Sequence, residues 1–185
     1  MSLSHVLLTS LLEKPSTGIE LAKRFDRSMG FFWNATHQQI YRELGQMLDK
    51  GWISTINTED SDSRKKTYQV EQTGQDELQQ WITQNSPLAK LRCELMVKLR
   101  AEAQLGGEAI LPELQRHLAL HEAQYVLYQA IFAKDQQKKN QQDMRTFLIQ
   151  QKILELGIQF EVGWTDWLKQ MIELLQQHPA PQCKG

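Results

Sequence analysis

The chain has 185 residues, 41% of them hydrophobic and 23% charged, with 21 Lys and Arg against 22 Asp and Glu for a formal net charge of -1. That balance suits a globular protein of one large or two small domains and excludes a surface coated in positive potential, while leaving room for a local basic patch. No apolar run approaches the roughly 18 residues needed to cross a bilayer, and residues 1–5 lack the basic region and small-residue cleavage site of a secretory leader, so a cytoplasmic protein with no membrane partner is expected.

Leu3, Val6, Leu7 and Leu11 predict a short amphipathic helix, closed at Lys14-Pro15 because the residue before proline avoids helical geometry. Thr17 stands three residues before Glu20, the reciprocal capping-box spacing, so a second helix starts near Thr17. Along it Ile19, Ala22 and Phe25 recur at helical spacing, with Lys23, Arg24 and Arg27 elsewhere on its surface. A third helix opens at Asn34 as N-cap and runs to Gly51, a residue suited to the left-handed position after a helix. At roughly 100° per residue, Ile40, Leu44, Met47 and Leu48 share one side and Gln38, Gln39, Arg42 and Gln46 the other. The period then falls to two over residues 52–56 and 64–70, around polar residues 57–63, which predicts a two-stranded hairpin. Thr73-Gly74-Gln75-Asp76 caps a fourth helix with Leu78, Trp81 and Ile82 on its buried side, stopped by Ser86-Pro87.

Three helices, a hairpin and a further helix, in that order, make a winged helix-turn-helix unit. The remaining residues carry no strand signal. Leu88, Leu91, Leu95 and Leu99 mark one helix, ended by Gly106-Gly107. Leu111, Leu114, Leu118, His121, Tyr125, Tyr128 and Phe132 follow the alternating three- and four-residue steps of a helical seam. After a polar connection over residues 134–142, Ile149, Ile153, Leu156, Phe160, Gly163, Trp167 and Leu174 form one stripe of a last helix, and Leu154, Gly157, Trp164, Leu168, Met171 and Leu175 a second. Two long helices with that much apolar surface need another copy of the chain to bury it. The expected architecture is therefore mainly α with a small β-hairpin wing. An N-terminal winged helix-turn-helix DNA-binding domain spans residues 1–85, a C-terminal long-helix dimerisation domain spans residues 86–178, and residues 179–185, with two prolines, form a disordered tail. Leu118, Tyr125, Phe132, Ile153, Phe160, Trp164 and Trp167 are the expected dimer interface.

Several stretches resemble the PadR-like family of transcriptional regulators, and within it the virulence-gene activators. They are Ser4-His5-Val6-Leu7-Leu8-Thr9, Thr17-Gly18, Phe32-Trp33-Asn34-Ala35-Thr36-His37-Gln38-Gln39-Ile40-Tyr41-Arg42-Glu43-Leu44, Gly51-Trp52-Ile53, Arg64-Lys65-Lys66-Thr67-Tyr68 and Thr73-Gly74. The stretch through Tyr41 is the most specific, because an aromatic beside a core aliphatic of the recognition helix is not demanded by packing. The helical tail is similar in layout more than in motif. The resemblance implies a homodimer whose winged helix binds double-stranded DNA and whose C-terminal helices join the two copies, in a family whose members often respond to small molecules. It maps the DNA-facing helix onto residues 36–42, which brings in Thr36, and the wing onto residues 59–66. One departure is that the first 85 residues hold nine Lys and Arg against eleven Asp and Glu, with Glu59, Asp60 and Asp62 inside the wing. Phosphate neutralisation supplies most non-specific DNA affinity, so that affinity should be weak.

Gln38 and Gln39 can each pair twice with adenine and Arg42 twice with guanine. A solvated polar face is the plainer role, and the hairpin downstream favours base reading. Tyr41 either sets its hydroxyl on a phosphate or packs at the edge of the core, and both stay open. Arg64, Lys65 and Lys66 are expected to grip the DNA backbone, with Asn34 beside them at the start of the recognition helix. His117 and His121 are four apart but lack an intervening Glu or a third ligand, so no metal is expected. Cys93 and Cys183 are too far apart for a metal or redox pair. No Ser/His/Asp set, paired carboxylates, G-x-G-x-x-G or Walker A occurs, so neither an enzyme nor a cofactor is expected. Phe31, Phe32, Trp33, Tyr125, Tyr128, Phe160, Trp164 and Trp167 could line an effector cavity between the domains, although aromatics at helical spacing are more often core. The expected function is a sequence-specific transcriptional regulator acting as a homodimer on a pseudo-palindromic operator. The alternatives are a winged-helix module for protein partners and an effector-responsive repressor with a small-molecule pocket between its domains.

Overall fold

The computed structural model of the chain describes residues 3–27, 33, 35–56, 66–88, 92–107, 109–137 and 143–179. The chain divides into two compact units, residues 1–89 and 90–185. The first holds α1 (Leu3–Glu13), β1 (Ser16–Thr17), α2 (Gly18–Arg27), α3 (His37–Asp49), β2 (Ile53–Ile56), β3 (Thr67–Val70) and α4 (Gln72–Ile82). The second holds α5 (Glu94–Leu105), α6 (Leu111–Gln137) and α7 (Met144–Gln177).

The core of the first unit takes Leu7, Leu8 and Leu11 from α1, Leu21 and Ala22 from α2, Ile40, Leu44 and Met47 from α3, Ile53 from β2 and Leu78 from α4. Helices this short are marginal in water, so it is the burial of these side chains, worth about 1.5–3 kcal/mol for each large aliphatic, that holds them. Arg24 locks α2 to α1 by donating from Nη2 to the carbonyls of Ser10 at 2.8 Å and Lys14 at 2.9 Å, at the end of α1 where helical donors run out. The capping box at Thr17 forms as expected. The Thr17 amide donates to Glu20 Oε2 at 2.9 Å and the Glu20 amide to Thr17 Oγ1 at 3.3 Å. Those bonds, the Thr17 amide first, hold the Glu20 carboxyl below its usual range. Ile19, however, is 53% exposed, and the buried edge of α2 is Leu21 and Ala22.

Two residues, Ser16 and Thr17, add an unexpected strand to the hairpin. The sheet is antiparallel in the order β1-β3-β2, with Ser16 opposite Tyr68 and Ile53 opposite Val70. α3 ends in a Schellman motif, as Gly51 foreshadowed. Gly51 has φ of +67°, its amide donates to Leu48 O at 2.9 Å and the Trp52 amide donates to Met47 O at 3.0 Å. α3 begins at Thr36 rather than Asn34, which lies outside the described residues. α4 differs too: its N-cap is Glu71, and Thr73 instead donates its hydroxyl to Gly51 O, tying α4 to the end of α3. Trp81 stacks on His5 at 4.6 Å, which sets the inner edge of α4 along Gly74, Leu78 and Trp81 and leaves Ile82 exposed.

In the second unit α5 starts at Glu94, so Leu88 is not part of it and stands exposed, while Leu91 lies outside the described residues. Residues 134–137 continue α6 instead of forming the connection. α6 and α7 run antiparallel, Gln136 reaching Gln151 at 2.9 Å, His121 reaching Glu161 at 2.6 Å and Glu122 reaching Lys169 at 3.0 Å. Asp143 caps α7 by accepting from the Thr146 amide at 2.9 Å. The core here is Leu95, Ile110, Leu114 and Leu168. Of the expected tail only Pro179 lies among the described residues.

Candidate nucleic-acid interface

α3 is divided along its length. Ile40, Leu44 and Met47 are buried, and Gln38, Gln39, Tyr41, Arg42 and Gln46 are exposed, which is the division the helical period predicts. Ser4 donates its hydroxyl to Glu43 and so ties α1 to the middle of α3. The helix is thereby held from behind by α1 and the core, with its polar side turned to water.

Thr36 and Gln39 are occupied with each other. The Thr36 amide donates to Gln39 Oε1 at 2.8 Å and the Gln39 amide to Thr36 Oγ1 at 3.2 Å. This closes a capping box that the residue types allow, since glutamine serves at the third position as glutamate does. Gln38, Arg42 and Gln46, each one helical turn from the next, carry exposed donors on this face. Thr36→Ala should remove the cap and lower stability by about 1 kcal/mol. Thermal unfolding followed by circular dichroism checks this, and a melting temperature equal to that of the unaltered protein would remove the cap from the account.

Tyr41 is 45% exposed, and the other part of its ring covers the start of α2. A Cβ on Gly18 would lie 2.5 Å from Tyr41 Cε1, so glycine at 18 is what lets the ring lie there. Tyr41 also neighbours Tyr68 of β3, whose phenol is pushed up by burial and then by Tyr41. The one tyrosine therefore lies against the start of α2 with 45% of its surface left open to water. Sequence reading finds Tyr41 but not Gly18, because the two are brought together by the fold alone. Lys66, entering β3, is exposed, whereas Asn34, Arg64 and Lys65 lie outside the described residues. A further cation that escaped sequence reading is Lys50, whose Nζ sits 4.2 Å from the centre of the Trp52 ring.

The expected dimer residues fall into two groups. Leu118, Trp164 and Trp167 pack on the core of their own helical unit, and Tyr125 and Phe132 are half-buried. Ile153 and Phe160 stand 45% and 55% exposed, in line with Ile149, Leu156 and Leu174. His117 and His121 do not converge on a common point. His121 Nδ1 meets Glu161, His117 Nε2 meets Glu113 at 3.4 Å, and among the described residues no group of His, Cys, Asp or Glu is arranged to hold a metal ion. Glu113 itself is held at about 2, by its hydrogen bond from Arg116 first.

A helical core, a three-stranded antiparallel wing and an exposed polar helix face together define a winged-helix DNA-binding protein. Residues 7–80 match the transcriptional regulator PadR-like family, and residues 91–176 match the virulence activator alpha C-term family. The probable transcriptional regulator Rv1176c of Mycobacterium tuberculosis is 34% identical over 96% of this chain and 99% of its own length. Among solved structures, the Vibrio cholerae virulence activator AphA is 27% identical with a TM-score of 0.75, covering 95% of this chain and 99% of that one. Bacillus subtilis PadR in complex with operator DNA superposes with a TM-score of 0.79 at 22% identity, over 93% of this chain and 97% of that one. This chain belongs to the PadR-like family of transcriptional regulators. The family is one of regulators and not of enzymes, and among the described residues no helix is long and apolar enough to cross a membrane.

Proposed function

We propose that this regulator acts as a homodimer that reads a pseudo-palindromic operator. In this reading residues 1–85 bind DNA and residues 86–178 join the two copies. Gln38 and Arg42 face base edges, Tyr41 sets its hydroxyl on a phosphate, and Lys66 with Arg64 and Lys65 contacts the backbone. Thr36 and Gln39 shape the entry of the helix, and Asn34 stands just before it. The observation that carries the proposal is the division of α3, with donors for bases on the side opposite the buried Ile40, Leu44 and Met47. The operator complex of B. subtilis PadR, a protein of the same fold, supports it.

The homodimer is supported by the stripe of Ile149, Ile153, Leu156, Phe160 and Leu174 along α7, exposed in the single chain. Contiguous apolar surface on this scale is costly in water, and a two-fold contact would cover it twice. A small-molecule effector belongs to the same reading, since B. subtilis PadR has also been solved with p-coumaric acid. Light scattering on the purified protein should give twice the 21.5 kDa chain mass, and retardation of a native promoter fragment should be abolished by excess of the same fragment and not by random DNA. A monomer at micromolar concentration would overturn the dimer. Equal competition by random DNA would move the winged helix toward protein partners.

A further inference from the structure

Gly18 opens α2 at a place where the backbone makes no demand for glycine. The left-handed conformation that favours glycine occurs at Gly51, Gly106 and Gly107. Gly18 is instead an ordinary helical residue, and in a helix alanine is the more favourable choice. The reason for glycine is spatial. A Cβ at 18 would lie 2.5 Å from Tyr41 Cε1, 3.0 Å from its Cζ and 3.1 Å from its hydroxyl oxygen. The phenol end of Tyr41 fills the space that any other residue at 18 would claim.

Core packing does not account for keeping the ring there, because Tyr41 is exposed and is not one of the buried side chains of the first unit. It follows Gln38 by three residues and so adjoins the polar face of α3. We infer that Gly18 is a positioning residue for DNA binding: by lacking a Cβ it holds the Tyr41 phenol against the start of α2, in the place from which the hydroxyl meets the DNA backbone. This role rests on the DNA contact of Tyr41 proposed above. The atoms that a Cβ would strike belong to the far end of a side chain and not to backbone. Gly18→Ala is therefore relieved by rotation of Tyr41 about its own side-chain bonds, which displaces the hydroxyl and leaves the fold in place.

Fluorescence anisotropy on a labelled native promoter fragment, with the full chain unaltered, as Gly18→Ala, as Tyr41→Phe and as the double variant, tests this role. Losing a hydroxyl bond to a charged phosphate should lower affinity roughly tenfold in each single variant. The double variant should bind no more weakly than Tyr41→Phe, because Gly18 acts through a hydroxyl that is no longer there. The salt slope should be the same in all four proteins, since no cation is removed. A merely structural glycine would multiply the two losses instead. Losses that multiply, full affinity in Gly18→Ala, or a Gly18→Ala chain that circular dichroism finds unfolded would each overturn the positioning role while promoter binding by the unaltered chain stands. Full affinity in Tyr41→Phe would remove the hydroxyl contact and this role with it. An unaltered chain that binds the promoter no better than random DNA would overturn the operator reading itself, and the role of Gly18 with it.

Discussion

Gly74→Ala is expected to destabilise the winged-helix unit by about 3 kcal/mol, lowering its melting temperature by roughly 10–20 °C. The added Cβ would stand 2.3 Å from the Trp52 carbonyl oxygen, 3.0 Å from Val70 Cγ1 and 3.1 Å from Leu8 Cδ2. The first of these neighbours is backbone and is already fixed, because Trp52 O accepts from the Glu71 amide at 2.9 Å. No rotamer change relieves that clash, so α4 must move away from the sheet and uncover Leu78. Gly45→Ala is the internal control. A Cβ at 45, on the exposed side of α3, meets nothing within 4 Å, so the change should raise stability by up to about 1 kcal/mol through helix propensity. Equal melting temperatures for Gly74→Ala and the unaltered protein would show that α4 does not press on the sheet as described.

Arg42→Ala should lower affinity for the operator by roughly 5- to 150-fold, the loss of about 1–3 kcal/mol that a two-bond base contact provides, and relax the preference at one base position. Lys66→Ala should weaken operator and scrambled DNA alike and reduce the salt slope by about one unit. The difference follows from placement and shape. Arg42 presents a planar two-donor fork on the exposed face of α3, and Lys66 presents a point charge at the edge of the wing. Binding isotherms on both DNAs at several salt concentrations separate the two. If Arg42→Ala weakened both DNAs equally, Arg42 would be a phosphate contact.

The face that carries Arg42 was legible in the sequence because α3 is amphipathic with a single sharp boundary, so a 3.6-residue period places Gln38 and Arg42 opposite Ile40, Leu44 and Met47 without help from the rest of the fold. The left-handed residue ending α3 was legible for a similar reason, Gly51 being the natural left-handed residue at the point where the period changes. What escaped depends on partners distant in the chain. β1 is two residues long and exists only because Tyr68 and Thr67 pair with it. Period alone put Ile19 and Ile82 inside, yet α2 and α4 are turned by contacts of Gly18 with Tyr41 and of Trp81 with His5. Along α7 the sequence shows two apolar stripes and cannot say which one α6 covers. In the structure Trp164, Leu168 and Met171 pack inward and Ile149, Ile153 and Phe160 face out. The start of α3 was misplaced because Asn34 and Thr36 are both good N-caps by residue type, and in the structure Thr36 caps the helix through its reciprocal bonds with Gln39.

The central claim, a two-fold regulator reading bases through α3, is tested most directly by selecting binding sequences from a random duplex pool with the full-length protein and sequencing what is retained. The account predicts enrichment of an inverted repeat whose half-sites are separated by roughly 10 base pairs or a multiple of that turn, and, with Arg42→Ala, the same repeat with one position per half-site no longer specified. A retained pool with no shared sequence, or a single half-site without its inverted copy, would contradict it.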